Sequence, residues 1–490
     1  MIINSNKLDV NLDSWKRINM RSVEHLLGVE FIHDLYDRYE PTINSIRFRN
    51  TLTFWKDGLV NSYAPKSEWD ALGEIVGNRY YNLDESIIEH TQKIYKRKRK
   101  EYSLFLKRIK KVNFSKINNH ELCSLLIDFQ SIILGDLYVL NFVQVEHGLN
   151  NAIQKILKED LHVKDNEIDS VLSNLIKTDI PTESQREIFL LYVKAKIFRL
   201  LSKLGFKNEK LKQRCIKNHY KKYRFLYSAY GEEPRKFDVF LRKFEEYLTG
   251  ENKDIKFKIF PKLINTESEK VLDSLNNKKL NKLIPLLVKG GIFRDKNKSL
   301  LGLSLEYRFL ILDEISKRGE LRENLNYYLL SEIIDFLTTN KKLPLEIINS
   351  RKNDGVVFQR KESFEVYNLK SSYISEEKDK DSTLNLKGHC ASPGQCSGKC
   401  KIVLSKEDCF KVENGDIMVA IGTDFDLIDA MYRSSAVITE ESGILSHAAV
   451  VCRELKKPCC IGVKEATKIL KDGQYIKLDA SNGIIERVTF

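Results

Sequence analysis

Along most of the first 350 positions, apolar residues recur at three- and four-residue intervals, the spacing of helices that bury one face. Pro181-Thr182-Glu183-Ser184-Gln185 is a helix-start signal. It is followed by Ile188, Leu191, Tyr192, Ala195, Phe198 and Leu201 on one stripe, with Gly205 as the stop. Asn118, with Glu121 three residues on, predicts a second capped start. Further helices are expected from about Asn82 to Ile109, from Glu306 to Ser316 and from Tyr327 to Leu337. The period then changes. Gly355-Val356-Val357-Phe358 and Phe364-Glu365-Val366-Tyr367 predict a short hairpin within residues 355–367. Ser371 to Lys387 is charged and nearly without apolar anchors, so it reads as a flexible linker. Ala436-Val437-Ile438 reads as a buried strand, and the segment after His447 has helical spacing that stops short of Pro458.

These patterns predict a multidomain chain. A large, mainly α-helical region covers 1–370, a linker covers 371–387, and a separate domain covers 388–490. Composition agrees with a globular protein: of 490 residues, 42% are hydrophobic and 30% charged. The most apolar stretch, Leu122 to Val145, is interrupted by Asp128, Gln130 and Asp136, and the N-terminal residues lack a basic-then-apolar signal, so a cytoplasmic protein without a membrane span is expected. Nine cysteines, an odd number placed mostly in the last hundred residues, argue against a disulfide framework. His389, Cys390, Cys396 and Cys400 lack paired Cys-x-x-Cys ligands, so no metal site is expected. Cys459-Cys460 read as buried strand residues.

The net charge of +13 raises the question of nucleic acid. Its lysines are spread along the chain. The densest run, Lys96-Arg97-Lys98-Arg99-Lys100, falls on an expected helix with no aromatic platform, and a solvated face accounts for it. A nucleic-acid partner is therefore not expected.

The candidate chemistry centres on His447, placed where a loop becomes a helix. The first amides of a helix lack intrahelical acceptors and the macrodipole is positive there, so an anionic group on the imidazole would meet N–H donors. A neutral ring nitrogen is nucleophilic near neutral pH. Ser442, Gly443, Ser446, Ala448 and Ala449 leave room for a phosphoryl donor. A serine hydrolase is excluded, because no glycine stands at either required place around Ser446.

The stretch Thr439-Glu440-Glu441-Ser442-Gly443-Ile444-Leu445-Ser446-His447-Ala448-Ala449 resembles the phosphohistidine motif of the mobile domain of phosphoenolpyruvate-utilising enzymes. That family includes phosphoenolpyruvate synthase, pyruvate phosphate dikinase and rifampin phosphotransferase. The resemblance runs from Gly388-His389-Cys390-Ala391-Ser392-Pro393-Gly394 through Gly415-Asp416-Ile417-Met418-Val419, Thr423-Asp424-Phe425-Asp426 and Arg453-Glu454-Leu455-Lys456-Lys457-Pro458 to Asn482-Gly483-Ile484-Ile485-Glu486. It implies a C-terminal α/β swivelling phosphohistidine domain with His447 as the phosphoryl carrier. Ser442 replaces a family glycine, Phe425 a proline, and Leu445 a threonine that is a regulatory site in some dikinases, so regulation there is not expected. Leu-Ser-His-Ala-Ala looks closer in form to the rifampin phosphotransferase branch than to the dikinases. Thr439, Ser446 and Arg453 are candidates for phosphate contact, with a structural ion pair as the other reading of Arg453.

The helical region bears a weaker likeness to the substrate-side domain of the same proteins, carried by Trp15-Lys16-Arg17-Ile18-Asn19, Tyr327 to Ile334 and Glu346 to Arg351. His219, Lys222 and Arg224 are candidates for anion contact with a substrate, the structural reading standing beside it. Nothing matches the family's Arg-Ser-Ser, acidic-pair and Phe-Ala-Gly-Gln features of an ATP-grasp domain, no Walker loop is present, and a pyruvate-binding barrel would have to follow Phe490. The resemblance thus implies a phosphotransferase component with no nucleotide cofactor of its own. ATP and Mg2+ would be held by a separate ATP-grasp protein, and the acceptor would be a small molecule. A non-catalytic regulator that keeps the fold is the alternative.

Overall fold

The computed structural model describes residues 14–22, 26–27, 29–30, 50–56, 59–84, 86, 100–129, 144–206, 208–227, 236–249, 261–360, 364–368, 385–405, 407–423, 427–441, 443–444 and 446–488. The expected helix over 87–99, with most of the basic run, lies outside these residues, as does 371–384 of the expected linker. The chain forms two compact units. One comprises Met1–Gly148, Glu187–Asp254 and Arg294–Glu376, the other Leu149–Arg186, Ile255–Phe293 and Glu377–Phe490. The division does not follow the single boundary expected from the charge pattern. Residues 149–186 and 255–293, read as part of the helical region, belong with the C-terminal residues. Among the described residues no helix is long and apolar enough to cross a membrane.

Of the expected helices in the first unit, that after Asn118 is Asn119–Phe129, that over Tyr327 to Leu337 begins at Leu330, and that over Asn82 to Ile109 has a turn at 82–83 and helix at 100–109. Asn118 caps Asn119–Phe129 as a reciprocal box: its Oδ1 accepts from Glu121 N at 2.9 Å and its own N donates to Glu121 Oε2 at 2.9 Å. The helix expected at Glu306 is the end of a much longer one, Lys278–Gly319, which passes through Pro285. The segments Tyr327 to Ile334 and Glu346 to Arg351 are tied together by a buried ion pair. The Arg351 guanidinium makes two 2.7 Å bonds to the Glu332 carboxylate and a third to Tyr327 O.

The expectation of helix almost throughout 1–350 is corrected at three places. Strands β1 (Trp15–Ser22), β2 (Thr51–Lys56) and β3 (Leu59–Pro65) join β4 (Val356–Arg360) and β5 (Phe364–Asn368) in an antiparallel sheet of order β1-β3-β2-β4-β5. β4 and β5 are the expected hairpin. In β2, Leu52 and Trp55 are buried and Thr53 Oγ1 bonds Ser62 Oγ across to β3 at 3.0 Å. β-branched and aromatic residues, with Asp57-Gly58 between the two runs, were the strand signal here, and it outweighs the helical spacing of the surroundings.

In the second unit β6 (Asn385–Lys387), β7 (His389–Ser392), β8 (Gln395–Ile402), β9 (Ile417–Ala420), β10 (Ala436–Thr439), β11 (Cys459–Ile461), β12 (Tyr475–Asp479) and β13 (Ile484–Arg487) form one mixed sheet. Its order is β6-β13-β12-β8-β9-β10-β11-β7. Residues 385–387, placed in the expected linker, are therefore an edge strand paired with β13. The centre, β8-β9-β10-β11, is parallel, and β9, β10 and β11 are buried on both faces. Alternate residues feed two cores. Met418, Ala420, Val437 and Cys459 pack on one face with Ala448, Ala449 and Cys452, while Ile417, Val419, Ile438 and Cys460 pack on the other with Ile476 and Leu478. The outer strand β7 is covered by the helix Asp165–Leu175, where Ser173 Oγ donates to Ala391 O at 2.8 Å and His389 Nδ1 lies 2.8 Å from Asp169 Oδ2.

Candidate active site

Neighbouring parallel strands end on the same edge of a sheet, and the loops that leave them meet there. Here β9 ends at Ala420 and β10 at Thr439, paired with one another, so the loop carrying Thr423 and the loop carrying His447 start side by side. The pairing continues past the strands: Glu440 N donates to Ala420 O and Glu441 N to Ile421 O. From the other side Val463 N reaches Thr439 O and Gly462 N reaches Glu441 O, so backbone bonds hold residues 439–441 on both flanks. Glu440 is drawn away from the histidine, its Oε1 accepting from both Thr467 N and Thr467 Oγ1.

The loop turns back at Gly443, whose carbonyl accepts from Ser446 N at 2.8 Å, and the helix His447–Leu455 begins. Ser446 is its N-cap, with Oγ accepting from Ala449 N at 3.3 Å. His447 occupies the first helical position, as expected, half-buried. Its Nδ1 is 3.0 Å from Thr423 Oγ1. In the tautomer with hydrogen on Nδ1, Nδ1–H donates to Thr423 Oγ1 and the lone pair is on Nε2, which is buried.

Among the three candidates for phosphate contact, only Ser446 adjoins His447. The other two make structural hydrogen bonds elsewhere. Thr439 is fully buried and its Oγ1 donates to Glu441 O at 3.0 Å, fixing the turn out of β10. Arg453 is buried in the last turn, about 9 Å along the helix axis from His447, and its guanidinium donates to Ala391 O on β7. It anchors the helix to the edge strand. Thr423 was quoted within the resemblance without a role, and no local spacing reveals one, because its partner is 24 residues away.

The anion-contact candidates in the first unit also take structural places. His219 is buried, with Nε2 2.7 Å from Glu187 Oε1, Nδ1 3.0 Å from Lys194 Nζ, and its ring against Tyr223 and Phe240. Arg224 bonds Glu306 and lies over the Tyr220 ring, and Lys222 is exposed with its ammonium 4.8 Å from the Tyr223 ring centre. The cysteines considered as metal ligands are dispersed. Cys390 is on β7 and Cys396 and Cys400 are on β8, and among the described residues no group of three His, Cys, Asp or Glu side chains is placed to hold a metal ion. Burial pushes the Cys390 and Cys400 thiols up to about 12 and Cys396 to about 11, so none supplies a thiolate near neutral pH.

Residues 412–483, which include both loops and His447, match the PEP-utilising enzyme mobile domain. This part of the chain is therefore similar to the mobile domain of PEP-utilising enzymes. Over 136 residues the chain is 39% identical to the phosphoenolpyruvate synthase of Pyrococcus furiosus, covering 27% of this chain and 16% of that protein. Over 101 residues it is 43% identical to the phosphoenolpyruvate synthase of Aeropyrum pernix, covering 20% and 12%. Over 162 residues it is 29% identical to the rifampicin phosphotransferase of Bacillus subtilis, covering 33% and 19%. The chain thus spans less than a fifth of the length of these relatives. Identity is higher to the synthases than to the rifampicin phosphotransferase.

Proposed function

We propose that the chain is a phosphotransferase component in which His447 Nε2 carries the phosphoryl group. The Nε2 lone pair attacks a phosphorus of ATP held by a separate ATP-grasp protein with Mg2+, the P–N bond forms, and the P–O bond to the nucleotide breaks. An acceptor hydroxyl of a small molecule then attacks the same phosphorus, loses its proton, and returns the electron pair to Nε2. His447 must visit both donor and acceptor, the role of a swivelling domain. The observation that carries the reading is the 3.0 Å contact between His447 Nδ1 and Thr423 Oγ1 at a Ser446-capped helix start. It orients the ring, and the helix start supplies preorganised N–H donors for the transferring oxygens. Similarity of this segment to phosphoenolpyruvate synthases and a rifampicin phosphotransferase supports the same chemistry.

The test is chemical. With ATP, Mg2+ and an ATP-grasp protein encoded beside this chain, a protein adduct should form that is acid-labile and alkali-stable, as a phosphoramidate is. It should vanish in a folded His447→Gln variant, which keeps a polar side chain but no ring nitrogen. Undiminished acceptor phosphorylation by that variant ends the carrier reading. A chain that binds the ATP-grasp protein and alters its turnover, with no label on His447, would instead be a regulator.

A further inference from the structure

The helix Lys278–Gly319 belongs to both units, its residues as far as Phe293 to the second and those from Arg294 to the first. Each end is held by burial. Leu280, Leu283, Ile284, Leu287 and Val288 are buried before the division, and Ile311, Leu312 and Ile315 after it. Past Val288 the buried stripe stops: Lys289 is exposed, and Gly290, Gly291 and Ile292 are only half-buried. Two adjacent glycines thus stand just before the point where the helix passes from one unit to the other.

Glycine inside a helix is destabilising, because a residue without Cβ has the most backbone freedom to lose. Close packing commonly accounts for such a glycine. Gly148 in the helix Gln144–Lys155 is that case, since a Cβ there would come 2.3 Å from Val76 Cγ1. Gly290 is not. Nothing lies within 4 Å of the place its Cβ would take, so alanine, the best helix former, would fit. Pro285, earlier in the same helix, has no N–H to offer the carbonyl of Asn281 one turn back. The residues that weaken this helix are therefore gathered between its two anchored ends. Bends in long helices fall at proline and glycine, and a hinge is a few residues that absorb the backbone change. Two other described helices, Gln144–Lys155 and Glu183–Lys203, cross the same division near their N-terminal ends, at Gly148 and at Arg186. There a bend costs little, because the first amides of a helix have no intrahelical acceptor to lose. Lys278–Gly319 crosses in its interior, where a bend needs a weak point.

We propose that Gly290–Gly291 is a hinge between the two units, and that the body travelling with His447 is the whole second unit, including 149–186 and 255–293. The purpose of the motion rests on the carrier reading of His447, but the motion itself is measured without donor or acceptor. Spin labels on ketone-bearing residues replacing Lys217, exposed in the first unit, and Lys456, exposed in the second, would report the distance across the division by pulsed electron resonance. Labels at Lys164 and Lys456, both in the second unit, are the control pair. In the full chain the distance distribution across the division should be at least about twice as broad as that of the control pair. Gly290→Ala with Gly291→Ala should narrow it to the control width and raise the unfolding temperature. A glycine kept for packing behaves oppositely, its replacement lowering that temperature. Gly290→Ala alone is the second variant should the pair fail to fold, as judged by circular dichroism. A distribution across the division as narrow as the control overturns the hinge, as does one unchanged in the folded alanine variants. A control pair as broad as the pair across the division would show that the second unit is not one body and overturns the proposal too. Each of these results leaves the phosphoramidate test of His447 to be decided separately.

Discussion

Thr423 Oγ1 and His447 Nδ1 stand 3.0 Å apart because the two parallel strands that precede them, β9 and β10, end together. The hydroxyl therefore acts on the ring from outside the helix that carries it. In the tautomer with hydrogen on Nδ1 it accepts that proton and orients the ring, which in the proposed chemistry leaves Nε2 to react. Thr423→Val keeps the side-chain shape and removes the bond. A hydrogen bond to a group that becomes charged contributes about 1.5–3 kcal/mol, so the rate of phosphohistidine formation should fall roughly ten- to a hundredfold. Thr423→Ser should restore most of it. Equal initial rates for the Val variant and the wild type would remove Thr423 from the site.

Ser446 has two candidate roles that one pair of substitutions separates. As the N-cap it accepts from Ala449 N, and Ser446→Ala should lower stability by about 1 kcal/mol in chemical denaturation. Asp caps a helix as well as Ser does, so Ser446→Asp should keep that stability. It also sets a carboxylate beside the incoming phosphoryl group, and labelling of His447 should drop well below the level of the Ala variant. Equal labelling in the Asp and Ala variants would confine Ser446 to capping.

Arg453 provides the opposite case. Its guanidinium and Ser173 Oγ share the Ala391 carbonyl, which joins the His447 helix, the edge strand β7 and the helix Asp165–Leu175 at one oxygen. Arg453→Met should cost about 1–3 kcal/mol, the usual cost of a buried charged hydrogen bond. Folded protein should still label His447 within about twofold of the wild-type rate. A labelling defect without loss of stability would restore the phosphate-contact role.

How much of this was legible in the chain depends on range. The Asn118–Glu121 box, the helix start at Pro181 to Gln185, where Thr182 N donates to Gln185 Oε1, and the β4–β5 hairpin are encoded within a few neighbouring residues, and each appears where the sequence put it. His447 at a helix start was legible for the same reason. The Thr423 contact was not, since it is created by strand order, and neither was the anchoring of Arg453 to Ala391, 62 residues away. His219, for which a structural place stood beside anion contact, takes the structural place, and the local signal for it was present. Ile216, His219 and Tyr223 follow helical spacing and are buried, while Lys217, Lys221 and Lys222 point outward, so the basic residues around the histidine describe the solvent side of the helix rather than the histidine's own surroundings.

That burial has a measurable consequence. Desolvation pulls the His219 pKa below its ordinary 6.5, the neighbouring Glu187 carboxylate opposing the shift, while Lys194 and Lys222 favour the neutral ring. Neutral imidazole also satisfies the geometry, with Nε2–H donating to Glu187 Oε1 and Nδ1 accepting from Lys194 Nζ. The folded state therefore binds fewer protons here than the unfolded chain. Above pH 6.5 both states hold a neutral ring and nothing is lost. As pH falls below 6.5 the unfolded chain takes up its proton first, and stability declines by up to about 1.4 kcal/mol per pH unit until the folded pKa is reached. His219→Gln removes that titration while keeping a polar group between Glu187 and Lys194. Urea denaturation of the two proteins at steps from pH 8 to 5 should show a shallower decline for the variant, with the difference opening only below about 6.5. Parallel curves across that range would show that the buried His219 does not carry the acid sensitivity of the first unit.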